Sequence, residues 1–391
     1  MPSEKLRILH LIATNCLGGP EKQILNHAVC ASSAQQEIWL ASFRDFPARP
    51  EFLVRAERMG LPTVEFSSGR FRLQTVLELV RTVKKNKFSL LCTHGYKANL
   101  LGWAASRLTG CPQIAFARGW TGENWRIKLY ERFDRLLLRW TDWVVCVSRP
   151  LAVEIGKKRT RRAPPQFIPN CALFRFQDVA LPVNRLPFRH ALGLPEDAFC
   201  ICAAGRLSPE KGQRYLLQAL PNLVGRIPRL LLILLGEGRE RPELERLATE
   251  LGIPKHVLFA GFKKDIRPWI EACDLLVNPS LTEGTPNVVL EAMALGTPVI
   301  ATSVGGVPDL VEHLTSGVLV APGDSSVLAG AIHALFASPD ERLLLAQNAQ
   351  KRLFLYSPER QTQQLKELYS RVLEPSHQGL VSNSAALPIQ S

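Results

Sequence analysis

Short apolar runs alternate with helix-period segments along almost the whole chain, and that alternation leaves few folds open. Strand-length runs lie at 7–14, 37–43, 63–66, 89–93, 114–117 and 143–147, and again at 199–204, 230–235, 257–260, 275–277, 299–301 and 318–320. Segments of helical period, such as 71–85 and 97–108, fall between them. Hairpins join strands by turns of a few residues, whereas a helix between strands makes the next strand parallel. The class is therefore α/β, with mostly parallel sheets covered by helices on both faces. Pro182 and Pro187 break any long element between 174 and 189, so the alternation divides in two. The expected units are 1–180 and 190–357. A helix at 358–373 falls outside the alternation, and the polar, small-residue tail at 376–391 is expected to be disordered.

Composition sets further bounds. A chain of 391 residues is long enough for two full cores. No stretch reaches the roughly 18–20 apolar residues of a membrane span, and the N-terminus lacks the apolar region of a signal peptide. The nine cysteines are scattered and odd in number, which fits reduced thiols in the cytoplasm. The net charge of +13 is uneven: residues before His190 carry about +16 and the rest about −3. A basic half calls for an anionic partner, whether nucleic acid, a membrane surface or a phosphorylated acceptor.

In an open α/β sheet, ligands sit outside the carboxyl ends of the strands. The stretch 280–296 occupies that place between two apolar runs. Thr285 reads as a helix N-cap and Pro286 as the first turn, with Gly296 as the left-handed terminator. A helix N-terminus offers free N–H groups to a diphosphate. Glu283 lies in the loop, and Glu291 stands seven residues beyond it on an otherwise apolar helix. Alone, the first is a favourable charge near a helix start and the second a carboxylate reaching the surface. Buried, such a charge is costly unless something pairs with it.

Other strand ends carry similar chemistry. Gly205, Arg206 and Lys211 flank the turn after the run at 199–204, where an Arg fork and a Lys point charge suit two phosphates. Gly236 and Phe262 end the next two runs, and Gly305, Gly306 and Asp309 a later one. In the first half, Gly18 and Gly19 follow the first run, His94 ends the fourth and Arg118 follows the fifth. A histidine that merely caps its strand competes with any role for His94 in a site.

Taken in order, the Gly18-Gly19 loop, Phe167-Ile168-Pro169-Asn170, Gly205-Arg206 with Lys211-Gly212, Gly236-Glu237-Gly238, Glu283 with Glu291, and Gly305-Gly306 with Pro308-Asp309 resemble the retaining glycosyltransferases of family 4. The resemblance covers nearly the whole chain. It implies a GT-B-like fold, two facing Rossmann-type domains with a C-terminal helix crossing back to the first. It also implies a metal-independent transferase that takes a nucleotide-diphosphate sugar as co-substrate and needs no cofactor. Arg206 and Lys211 would stabilise the departing diphosphate. Glu283 would bond donor-sugar hydroxyls near Gly284, Thr285, Pro286 and Asn287, and Glu291 the ribose diol. Gly205, Gly236 and Phe262 would line the nucleotide, with Gly18, Gly19, His94 and Arg118 on the acceptor side. Many members carry a histidine after the fifth strand, where this chain has Arg118; His94, one strand earlier, is the candidate to replace it. No D-x-D occurs, which fits a site using Arg, Lys and a helix dipole in place of a metal.

The implied acceptor is a glycan or a lipid-linked sugar in cell-surface polysaccharide or glycolipid synthesis. A nucleotide-sugar epimerase of the same fold and a glycan phosphorylase are rival classes. The basic half keeps a nucleic-acid-binding protein in view, although no helix-turn-helix, zinc or RNP pattern is present and no nucleic-acid partner is expected. The expected place is the cytoplasm, peripheral at the inner face of the membrane. Basic residues at 84–87 and 157–162 would touch anionic lipid, and Trp125 and Trp140 would anchor the helix read at 124–141. The apolar face of that helix, Trp125, Leu129, Phe133, Leu136, Leu137 and Trp140, is otherwise expected to pack on the sheet.

Overall fold

The computed structural model describes residues 5–374 apart from 34, 46–47, 68–72, 121–124, 160–161, 174–180 and 182, and apart from the side chains of Trp125 and Arg126. Among these residues two parallel sheets form. The first contains β1 (Leu6–Ile12), β2 (Gln36–Phe43), β3 (Thr63–Phe66), β4 (Leu90–His94), β5 (Gln113–Ala117), β6 (Trp143–Cys146) and β7 (Gln166–Phe167), in the order β3-β2-β1-β4-β5-β6-β7. The second contains β8 (Phe199–Ala204), β9 (Leu230–Leu235), β10 (Val257–Gly261), β11 (Leu275–Asn278), β12 (Val299–Thr302) and β13 (Val318–Val320), in the order β10-β9-β8-β11-β12-β13. Both orders reverse direction after their first strand. In the first sheet β1 pairs with β2 on one side, Ile8 opposite Ile38, and with β4 on the other, Ile8 opposite Leu90.

The strands read as unbroken apolar runs because both faces are covered. Ile201, Leu232, Val277 and Ile300 enter one core of the second sheet, and Cys200, Cys202, Ile233 and Leu276 the other. On the first sheet, Ile24, Leu25 and Ala28 of the helix Gly19–Ala31 share a core with Leu365, Leu368, Tyr369 and Val372 of the final helix, Pro358–Leu373. The last helix is thus built into the first sheet's core, across from the sheet that precedes it in sequence. The linker region at 174–180 and 182 and the tail from 375 onward lie outside the described residues.

Three local expectations change. Thr285 does not cap the helix Asn287–Ala294; Pro286 is its N-cap residue, and the Thr285 hydroxyl donates to the carbonyl of Val147 in the other domain. The basic run at 157–162 is not one solvated patch. Arg159 is buried and donates to the carbonyls of Leu138, Asp142 and Ala163, while Arg162 pairs with Asp142. Residues 160–161 of that run lie outside the described residues, and Lys157 and Lys158 are exposed.

The third change is the helix Trp125–Leu137, which turns the opposite way from its apolar pattern. Glu131 and Asp134 are buried, whereas Leu129, Tyr130, Phe133, Leu136 and Trp140 are exposed. Only Leu137 of the expected apolar face, with its neighbour Leu138, packs inward among the described side chains. The cause is a polar cluster beneath the helix. Asn99 Nδ2 donates to Asp134 Oδ1 at 2.8 Å and Trp120 Nε1 to Asp134 Oδ2 at 3.2 Å. Asn99 in turn accepts from Thr93 Oγ1 at 2.9 Å.

Candidate functional site

The point where strand order reverses is where a parallel sheet opens a crevice at its carboxyl edge. In the second sheet that point lies between β8 and β11, and the loops after these two strands meet there. Lys211 ends the short turn Pro209–Lys211 after β8. Its Nζ lies 2.7 Å from Glu283 Oε1, in the loop after β11, and the Ser280 hydroxyl donates to the same oxygen at 2.7 Å. The Glu283 side chain is 7% exposed and that of Lys211 28%. Glu283 and Lys211, expected on sugar and diphosphate, therefore stand in direct contact. Arg206 is exposed on the other side of the turn, and its carbonyl accepts from Gln213 Nε2 at 2.9 Å.

Glu291 is 4% exposed, and among the described residues its carboxylate has no hydrogen-bond or ion-pair partner. Burial pushes its pKa up from 4.5 to about 7, against the fields of Lys22 and Arg267, while Asp265 adds to the rise. A buried acid without a partner is held ready for a donor from outside. Gly236 follows β9 with its backbone against that of Gly205; a Cβ there would stand 2.0 Å from the Gly205 carbonyl oxygen. Phe262 lies beyond β10 and is 70% exposed.

Across the crevice the first domain comes close. A Cβ on Gly284 would meet the Arg118 carbonyl oxygen at 2.4 Å, so that backbone contact needs glycine, and one on Gly19 would press on the Asn287 side chain at Nδ2. Asn170 Nδ2 donates to the Thr285 carbonyl at 3.0 Å and to Asn287 Oδ1 at 2.9 Å. Gln23 Nε2 reaches Asn287 Oδ1 at 3.2 Å. Asp309, after β12, accepts from the Arg149 backbone N–H at 2.9 Å, and Gly306 N–H donates to the Gly284 carbonyl at 2.8 Å. The side chains of Thr285 and Asn287 are thus engaged by the facing domain. An open groove of about 540 Å³ at the Arg149–Asp309 contact carries Lys157, Lys158 and Glu154.

Arg118 anchors a buried polar chain. It donates to Asn170 Oδ1 at 3.0 Å and to His94 Nδ1 at 3.3 Å. A guanidinium only donates, so it fixes the histidine tautomers behind it. His94 Nε2–H then donates to His10 Nδ1 at 3.1 Å, His10 Nε2–H to the Tyr369 hydroxyl oxygen at 3.2 Å, and that hydroxyl to His27 Nε2 at 2.9 Å. Among the described residues His27 Nδ1–H and Arg118 Nε–H have no hydrogen-bond partner. Burial holds His10 and His94 well below the ordinary imidazole range and His27 at about 3, so all three are neutral at pH 7. It also lowers the Arg118 pKa to about 10, with Glu21 opposing. The structure places His94 behind Arg118, 3% exposed, and leaves Arg118 nearer the facing loop. A cavity of about 20 Å³ among these groups has room for about one water.

Ser280, Gln23, Asn170 and Val147 were not read as site residues. The Ser280–Glu283 spacing and the Pro169-Asn170 turn after β7 carried some signal. Gln23 carried none, since a glutamine in the first turns of a helix reads as solvated.

Comparison with known proteins follows the same division. A family model described as glycosyl transferases group 1 matches residues 184–352, and one described as a glycosyl transferase 4-like domain matches residues 18–171. A D-inositol 3-phosphate glycosyltransferase of Saccharomonospora viridis is 31% identical over 365 residues, covering 84% of this chain and 79% of that protein. The UDP-Gal:alpha-D-GlcNAc-diphosphoundecaprenol alpha-1,3-galactosyltransferase of Escherichia coli is 24% identical, covering 93% and 97%. The crystal structure of Anabaena HepE in complex with UDP-glucose superposes with a TM-score of 0.80 at 26% identity, covering 94% of this chain and 100% of that one.

Proposed function

The chain belongs to the group 1 glycosyl transferases, and we propose that it moves a sugar, with retention at the anomeric carbon, from a uridine diphosphate sugar to a lipid-linked or glycan acceptor in cell-surface polysaccharide or glycolipid synthesis. The observation that carries this reading is the Lys211–Glu283–Ser280 cluster at the reversal point of the second sheet, facing the strand ends of the first. The choice of uridine rests on Anabaena HepE, whose structure holds UDP-glucose.

On this reading Lys211 leaves Glu283 for the diphosphate when the donor arrives, and Arg206 joins it. Glu283 is then free to accept from hydroxyls of the sugar. As the bond from C1 to the diphosphate breaks, its electron pair goes to the departing UDP, whose growing charge the two cations stabilise; an acceptor hydroxyl oxygen forms the new bond to C1 on the same face, and its proton passes to the departing phosphate oxygen. Glu291, buried and without a hydrogen-bond or ion-pair partner among the described residues, accepts from the ribose diol. The contacts of Asn170 and Gln23 with the Thr285–Asn287 backbone and side chains close the two domains on the donor and exclude water. Lys157, Lys158 and Arg149 give the groove beside Asp309 a basic wall suited to a phosphorylated acceptor. The Escherichia coli relative, named for a diphosphoundecaprenol-linked acceptor, supports the lipid-linked reading. Among the described residues no helix is long and apolar enough to cross a membrane; on this reading the protein meets such an acceptor peripherally, at the cytoplasmic face.

Thermal unfolding with UDP, GDP and ADP tests the donor assignment. UDP should raise the midpoint by mass action, and Lys211→Ala should abolish most of the rise. Equal response to all three nucleotides, or to none, would overturn it.

A further inference from the structure

We propose that the outward face of the helix Trp125–Leu137, continued through Trp140, is the surface by which the protein lies on an anionic bilayer; this deepens the peripheral reading above and rests on it only for the identity of the acceptor. The face is unusual in composition. Leu129, Tyr130, Phe133, Leu136 and Trp140 are exposed, Phe133 at 60% and Trp140 at 53%. Lys128, Arg132, Arg135 and Arg139 are exposed among them. The acids of this segment, Glu131 and Asp134, both point inward. Asp134 is fixed there by Asn99 and Trp120, so the helix cannot roll over to hide its apolar side without stranding a carboxylate.

Lipid fits this face better than another protein copy. A two-fold interface would set the same four cations against four others with no acid of this face, among the described residues, between them. An anionic headgroup layer neutralises the cations, while the aromatic and aliphatic side chains enter the acyl boundary. Trp and Tyr favour that depth. The helix is too short to span the bilayer and lies along its surface.

The face also sits where a lipid-linked acceptor would be needed. The Tyr130 ring stacks on Tyr96, with centroids 5.2 Å apart and planes at 7°. Tyr96 opens the helix that follows β4, immediately after His94 and Gly95. The lipid-facing surface therefore meets the carboxyl edge of the first sheet, the edge that borders the crevice.

Co-sedimentation with vesicles of equal parts phosphatidylcholine and phosphatidylglycerol is the test, with pure phosphatidylcholine as the comparison. The wild type should bind only the anionic vesicles and leave them as salt rises. Replacing Lys128, Arg132 and Arg139 by Gln should weaken binding roughly a hundredfold, about fivefold for each charge. Phe133→Ser with Trp140→Ser should weaken it at least about tenfold and remove quenching of tryptophan fluorescence by brominated lipid. Lys255→Gln with Lys351→Gln, in the second domain, should change little. UDP should still raise the thermal midpoint in every one of these variants, which separates failure of the lipid surface from failure of the transferase reading. A wild-type protein that stays in the supernatant at low salt would overturn the proposal. So would equal loss from the second-domain variant, or a dimer in solution that Phe133→Ser with Trp140→Ser dissociates.

Discussion

Replacing Glu291 by Gln removes a charge that the folded protein holds at a cost. The carboxyl group is buried in the helix Asn287–Ala294 with no partner among the described residues, and its pKa rises from 4.5 to about 7. At about 1.36 kcal/mol per pKa unit, that rise corresponds to roughly 3 kcal/mol. The sign follows from linkage. Below about pH 4.5 the group is protonated whether the chain is folded or unfolded, so nothing is lost. Between about 4.5 and 7 the unfolded chain gives up its proton while the folded protein keeps it, and stability falls as pH rises. Above about 7 the full cost is present. Glu291→Gln escapes this cost, so its thermal midpoint should exceed that of the wild type near pH 8, by an amount on the order of 5 °C, and the gap should close near pH 5. The same substitution should weaken UDP binding about tenfold or more, since an amide is a poorer acceptor for a diol than a carboxylate. Thermal unfolding of both proteins across this pH range, with and without UDP, measures both effects. A Glu291→Gln midpoint below the wild type at every pH would refute the reasoning, because it would mean that the carboxylate is satisfied within the folded chain.

Glu283→Gln and Lys211→Met should each lower turnover by about two orders of magnitude with folding retained, as expected for the loss of one preorganised charge; steady-state UDP release reads this, and wild-type rates in both would sink the assignment. Transfer should persist in excess EDTA, because in the proposed function Arg206 and Lys211 take the leaving-group charge; an activity restored only by added Mg²⁺ would contradict this. Asn170→Ala removes the link from Arg118 to the Thr285 carbonyl and Asn287. It should cut kcat about tenfold, with the UDP-induced thermal shift unchanged, because closure and not nucleotide contact is lost. An equal loss in UDP affinity would place Asn170 in the donor site instead.

The sequence by itself determined the two parallel sheets and the edges where ligands would sit. Parallel strands buried on both faces must be apolar throughout, and each must end in a turn at the same edge, so Lys211 and Glu283 could be placed near one crevice from local pattern alone. Periodicity could also show which residues of the helix Trp125–Leu137 share a face. It could not show which way that face points. A hydrophobic pattern ranks faces by what water would prefer, and here the pull of Asn99 and Trp120 on Asp134 set the orientation against it. Capping preferences favoured Thr285 for the same local reason, but its hydroxyl found the Val147 carbonyl of another domain. His94 stood at a ligand edge in sequence, yet Arg118 covers it, because a guanidinium that can only donate needed an acceptor beneath it. Gln23, Asn170 and Asn287 lie far apart along the chain and meet only where the two domains face each other. Contacts of that kind depend on the relative placement of two independently folded sheets, which no local propensity encodes.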